Sequence, residues 1–197
     1  MKLSIAHHSL IEDTRLSIAI KSLNVKFYRE IERDGNCFYA SVALLLHPII
    51  QENPEFRNKF FSFNEDFEKA GISSAVYETY TESIVEFIMQ KETDNLEKEE
   101  LCILIGYLRI ISATQMILNE CKYKDFIDSD FRSYVDRNIM AMGARSGHVE
   151  IISLTDCLPI KIVVHDITSG REYVNEFGEG LEINILHSPD HFEPVYY

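Results

Sequence analysis

The chain has 197 residues, with 32 acidic against 19 basic side chains and a formal net charge of −13. Hydrophobic residues make up 46% and charged residues 26%, the balance of a globular protein with a full core. A field of that sign repels nucleic-acid phosphates and anionic lipid, so neither nucleic acid nor membrane is an expected partner and a basic protein surface is favoured.

In chain order, residues 1–25 read as an N-terminal segment, helical or partly mobile. Residues 26–197 read as one domain, because no repeat and no Pro/Gly/Ser linker divides them. Asp34-Gly35-Asn36 is a turn that sets Cys37 just ahead of a buried helix from Phe38 to Leu46, closed by His47-Pro48. Val76, Tyr80, Ile84, Phe87 and Ile88 fall at helical spacing, with Glu78, Glu82 and Glu86 on another face, which predicts an amphipathic surface helix. After a charged loop over 91–100, Leu101, Leu104, Ile105, Leu108 and Ile111 predict a long central helix. Phe131, Tyr134, Val135, Ile139 and Met142 predict another that ends near Gly143. A short helix over 149–157 leads to a change of period. Strands are predicted over 160–165, 183–187 and 192–197, with turns at Thr168-Ser169-Gly170 and Ser188-Pro189-Asp190. The class is α+β, a helical lobe packed on a small, mostly antiparallel sheet.

The four cysteines, Cys37, Cys102, Cys121 and Cys157, are spread singly without a Cys-x-x-Cys pair, which argues against a zinc ribbon or a thioredoxin-like site. No metal and no cofactor is expected. Residues 1–8 lack the apolar core of a signal peptide, and no run reaches the roughly 18 apolar residues of a membrane helix. Reduced thiols and a cytoplasmic, or also nuclear, location are therefore expected.

Cys37 stands where a thiol can be activated, on a turn at a helix N-terminus that lowers its pKa. The backbone N–H groups of this turn, that of Cys37 included, are candidates to face a tetrahedral oxyanion. Gly35 gives the turn a φ closed to other residues. An imidazole must then come from elsewhere. His7 and His8 lie in the N-terminal segment, and His47 lies at the far end of the same helix, roughly 15 Å from the thiol. His165 and His187 sit within strands. His191 stands at a loop-to-strand junction, and the two-residue strand period puts Glu193 on its face, where an acid can orient the ring. On residues alone, an inert buried cysteine and a surface His–Glu pair remain the alternative.

The string Asp34-Gly35-Asn36-Cys37-Phe38-Tyr39, followed at distance by His191-Phe192-Glu193, resembles the ovarian-tumour (OTU) superfamily of cysteine deubiquitinases. Three more stretches are similar to its otubain branch: Tyr107-Leu108-Arg109-Ile110-Ile111-Ser112, His148-Val149-Glu150-Ile151-Ile152, and the ending from Leu186 to Tyr197. The resemblance implies a papain-like OTU fold in a single domain, with Cys37 as nucleophile and His191 as general base and later acid. Asp34 matches the acid of the loop that, with Gly35 and Asn36, shapes the oxyanion hole. Glu193 takes the place of the usual aspartate or asparagine, and Phe192 matches an aromatic near the channel for a Gly-Gly tail. The implied function is cleavage after the C-terminal glycine of ubiquitin through a thioester. Ubiquitin or polyubiquitin, and a ubiquitin-conjugating enzyme, are the implied partners. A non-cleaving scaffold for those partners, or a hydrolase for another ubiquitin-like modifier, stays open beside it. Three positions depart from the family. Glu193 is one methylene longer than aspartate. Pro194 suits an unpaired strand position. Asp190, where otubains favour glycine, would add charge beside His191 or compete with Glu193 for it. Only 33 residues precede Asp34, so the long N-terminal extension of animal otubains is expected to be short or missing.

Overall fold

The computed structural model describes residues 4–5, 27–169 and 171–196. The readings made for residues 1–25, His7 and His8 included, lie outside the described residues except for a two-residue strand, β1 (Ser4–Ile5). That strand pairs with β2 (Phe27–Tyr28), and both join one mixed sheet of order β1-β2-β6-β5-β3-β4. The other strands are β3 (Ile160–Asp166), β4 (Tyr173–Gly178), β5 (Leu181–Ser188) and β6 (His191–Tyr196).

The sheet is antiparallel except for the β3–β5 pair, which is parallel. The exception has a local cause. β4 ends opposite Lys161, and the chain steps around the start of β3 through Glu179 and Gly180 to begin β5 opposite Ile160. Gly180 has a φ of 126°, and a Cβ there would collide with the Pro159 carbonyl, so only glycine makes so short a crossing. β4 was not among the sequence-predicted strands. It is an edge strand, exposed along nearly its whole length, and shows no apolar alternation.

The helices are α1 (Cys37–Glu52), α2 (Pro54–Phe60), α3 (Asn64–Lys69), α4 (Ser74–Glu86), α5 (Lys98–Leu118), α6 (Glu120–Tyr123), α7 (Phe131–Tyr134) and α8 (His148–Cys157). α1 does not stop at His47-Pro48 as predicted but runs through Pro48 to Glu52. A proline in a helix removes one hydrogen bond. Here Ile50 beyond it is still buried, and the helix ends only where Asn53 caps α2 ahead of Pro54. The apolar face of α4 is also rotated from the predicted one. Tyr77, Ile84 and the following Ile88 are buried, whereas Val76 and Phe87 are exposed. The segment after α7 continues as a π-helical stretch from Val135 to Met140, with Val135 and Ile139 buried.

α1 lies between α5 and β6 at the centre of the molecule. α5 is long and apolar enough to cross a membrane by composition, but 67% of its apolar window is buried inside the protein, the mark of a core helix. Aromatic rings knit the helical lobe, with Phe60 and Phe67 both against Tyr107 at 5.2 and 5.9 Å between centroids. All four cysteines are free.

His47, buried on α1, shows what the core demands of a polar group. Its Nε2 lies 3.0 Å from the Ile88 carbonyl and its Nδ1 2.8 Å from the Thr93 hydroxyl. A carbonyl only accepts, so Nε2 carries the proton and Nδ1 accepts from Thr93, which is the neutral ring. Burial holds the pKa of His47 below its ordinary value, against the Ile88 bond that raises it. The unfolded chain therefore binds this proton first, and stability falls as pH drops below about 6.5. Between pH 7 and pH 5 the wild type should lose more stability to urea than His47→Gln; equal losses would remove His47 as a source of acid sensitivity.

Candidate active site

Cys37 is the first residue of α1, one position earlier than the predicted helix start, and is 7% exposed. The turn before it is closed by Asp34, whose Oδ1 accepts the Asn36 N–H at 2.9 Å and whose Oδ2 accepts Asn36 Nδ2 at 3.0 Å. The Asn36 N–H is thus committed inside the turn. The N–H of Cys37, at the first helical position, has no acceptor within its own helix. Gly35 has a φ of 82°, and any Cβ would strike the carbonyl oxygen of Gly143, so a second chain segment is pressed against the turn.

That segment is held by the side chain of Asn36 and by Arg109. Asn36 Oδ1 accepts the Gly143 N–H at 2.8 Å and Arg109 Nη2 at 3.0 Å. Arg109 projects from α5, is 0% exposed, and also donates to the carbonyls of Ala144 and Ile139, both at 2.8 Å. Its guanidinium carbon stands 4.5 Å from the centre of the Tyr39 ring. Ile139 lies at the end of the π-helical stretch, where carbonyls lack helical donors, and Arg109 supplies one. Arg109 was legible only as part of a family-like string. The signal that could have marked its role is a charge set among Leu104, Ile105, Leu108 and Ile111, because a buried arginine must find several acceptors.

His191 opens β6 and is 1% exposed. Strand alternation brings Glu193 to the same side, with its Oε1 3.6 Å from His191 Nε2. The second oxygen, Oε2, is buried without a hydrogen-bond partner, as is His191 Nδ1. Cys37 lies within reach of the imidazole, approaching it without an aligned hydrogen bond. Loose geometry of this kind is common in free enzymes. Burial, the largest influence on His191, pulls its pKa down; Cys37 and Glu193 together outweigh it and push it up to about 9. The arrangement favours the charged form of the imidazole.

Asp190 is placed differently from the sequence reading. Its carboxylate is exposed and takes Arg145 at 3.0 Å, so it neither competes with Glu193 nor figures among the groups that raise His191. It is also the one non-glycine residue with positive φ (60°) among the described residues, a conformation that glycine adopts without strain. Pro194 sits opposite Ile185 on β5, while the β2 ladder on the other flank of β6 ends opposite Val195. One side of the strand is therefore unpaired at the proline. Phe192 is buried, edge-on to Phe38 at 5.5 Å and stacked on His187 at 4.3 Å, and so ties β6 to α1. His165 meets Glu172 and Asn184 instead of the thiol. Among the described residues no group of three or more His, Cys, Asp or Glu side chains could hold a metal ion.

Two outcomes are expected. Glu193→Gln removes a charge that raises His191, so the imidazole should titrate at lower pH than in the wild type, as followed by NMR of its ring protons; an unchanged midpoint would detach Glu193 from His191. Arg109→Met leaves buried acceptors unpaired and should reduce stability by about 1–3 kcal/mol in urea unfolding. A neutral result would show that the clamp contributes nothing.

Residues 11–197 match the family model described as Peptidase C65 Otubain. A Caenorhabditis briggsae protein named ubiquitin thioesterase otubain-like is 24% identical over 199 residues, covering 85% of this chain and 68% of its own length. Among solved structures, ceOTUB1 in complex with ubiquitin aldehyde and UBC13~Ub superposes with a TM-score of 0.79 at 18% identity, covering 99% of this chain and 92% of that one. The OTU domain of OTUD1 superposes at 0.56 and 13% identity, covering 98% and 97%. The fold is thus the α+β OTU fold, and with its family model matched over nearly the whole length the chain belongs to the peptidase C65, or otubain, family.

Proposed function

We propose that the chain is a cysteine deubiquitinase that cleaves after the C-terminal glycine of ubiquitin. The observation that carries this reading is the approach of Cys37, at the N-terminus of α1, to an imidazole held by Glu193 on the last strand. Cys37 thiolate attacks the glycine carbonyl, and the Cys37 N–H faces the oxyanion that forms. The C–N bond breaks as His191 gives its proton to the departing lysine amine. Water, deprotonated by His191, then attacks the thioester and releases the thiol. Glu193 orients the ring and stabilises its charged form without exchanging a proton.

Cys37 and His191 are nearly closed to solvent, so a substrate must reach them as a thin strand of backbone. A Gly-Gly tail meets that demand because it has no side chains. The net charge of −13 suits the basic rim of ubiquitin. The Caenorhabditis relative bears the name of a ubiquitin thioesterase, and ceOTUB1 was solved with ubiquitin aldehyde and UBC13~Ub. Ubiquitin and a ubiquitin-conjugating enzyme are accordingly the proposed partners. Free cysteines throughout suit the reducing cytoplasm as the proposed location.

A ubiquitin probe with a C-terminal electrophile should form an adduct with the wild type and none with Cys37→Ala. Equal behaviour of the two proteins would leave a binding scaffold in place of an enzyme. Turnover of a ubiquitin fluorogenic substrate should fall further in His191→Ala than in Glu193→Ala, because the first removes the proton carrier and the second only its support. The reverse ranking would contradict these roles.

A further inference from the structure

Between the strand-to-turn segment at 29–36, the start of α5 and the inner face of α1 lies a cavity of about 580 Å³, the size of a small-ligand site. Its floor is apolar, with Ile31, Leu96 and Ile105, and the half-buried thiol of Cys102 opens onto it. One charge stands on that floor. Arg29 is 2% exposed, donates from Nη1 to the Thr93 carbonyl at 3.0 Å, and has an Nε with no hydrogen-bond partner. No carboxylate among the described residues lies within ion-pair distance of it, and only Asp94 and Tyr196 act on it at longer range. A buried guanidinium left so is costly, and an anion in the cavity would relieve it.

The rim has the opposite sign. Glu32 is taken by Lys98 at 2.6 Å, Glu97 by Lys91 at 4.0 Å and Asp34 by Asn36, which leaves Asp94 and Glu99 exposed at the mouth. The cavity therefore offers a cation at its base, apolar walls above it and free carboxylates at its entrance. The geometry points to a site for the free C-terminus of a basic-tailed polypeptide. Its carboxylate meets Arg29, its apolar last side chain fills the walls, and its preceding basic residues meet Asp94 and Glu99. An isolated anion would be opposed by the rim, and an isolated cation by the floor. Asp34 and Asn36 form part of the wall, so an occupant touches the loop that carries Cys37.

The test uses the tripeptide Arg-Arg-Leu as free acid and as C-terminal amide, with the iodoacetamide labelling rate of Cys102 read by mass spectrometry. Exposed Cys121 serves as the control. In the wild type the acid should protect Cys102 at about tenfold lower concentration than the amide, the share of one charge-assisted contact. Glu-Glu-Leu should protect less than Arg-Arg-Leu. In Arg29→Gln the difference between acid and amide should vanish. Equal potency of acid and amide in the wild type, or no protection by either, overturns the proposal, and this arm stands even if the variant fails to fold. Because Cys102 is the reporter, the result is independent of turnover at Cys37.

Discussion

A guanidinium sealed in the core, that of Arg109, ties three parts of the chain together at one point. It reaches the Asn36 carboxamide in the turn before Cys37, the last carbonyls of the π-helical stretch, and the Ala144 carbonyl beyond. Each is a backbone or amide oxygen, and the Asn36 oxygen takes the Gly143 N–H as a second donor. The charge persuades irregular chain to run where regular structure cannot, and it does so directly beneath the thiol. Because Gly35 has no side chain, the two loops close to contact, and the position of Cys37 follows from that contact.

The imidazole arrives by a different route. It is set by sheet register, with Ser188 opposite His191 and Leu186 opposite Glu193, so that a slip of one residue would turn both side chains to the other face. The ring stack of His187 on Phe192, and the packing of Phe192 on Phe38, lock β6 against α1. Thiol and imidazole are thus positioned by independent means, a buried polar network for one and strand pairing with aromatic packing for the other. The carboxylate behind His191 is less tightly held, since one of its oxygens has no partner. The extra methylene of glutamate is taken up inside the core and not by solvent.

Much of this was legible in the residues. The turn at Asp34-Gly35-Asn36, the helix after it, the central helix and the strands bearing His165 and His191 each rest on local pattern, and the tertiary structure kept them. Where local and tertiary demands parted, the reading failed. Pro48 reads as a stop, yet burial of Ile50 carries the helix past it. Val76 and Phe87 fit an apolar stripe, yet α5 covers the neighbouring face through Tyr77 and Ile84. β4 has no inward face to leave a pattern. Asp190 stands next to His191 in sequence, yet a positive φ swings its carboxylate out to Arg145. Arg109 was legible as a member of a family-like string but not in its role, because hydrogen bonding toward backbone leaves no periodicity behind.

β4 has one further consequence. Among the described residues it is the outermost strand, with no strand paired to its far edge and with Tyr173 and Val174 on display. Such an edge is a template on which a second molecule could add its own strand and begin a stack. Glu172, Glu176 and Glu179 lie along or beside it; Lys161 takes Glu176 and His165 meets Glu172, so Glu179 is the carboxylate that two molecules meeting there would set against its like. Repulsion across this edge is electrostatic, and concentrated salt, by shortening its range, weakens that guard.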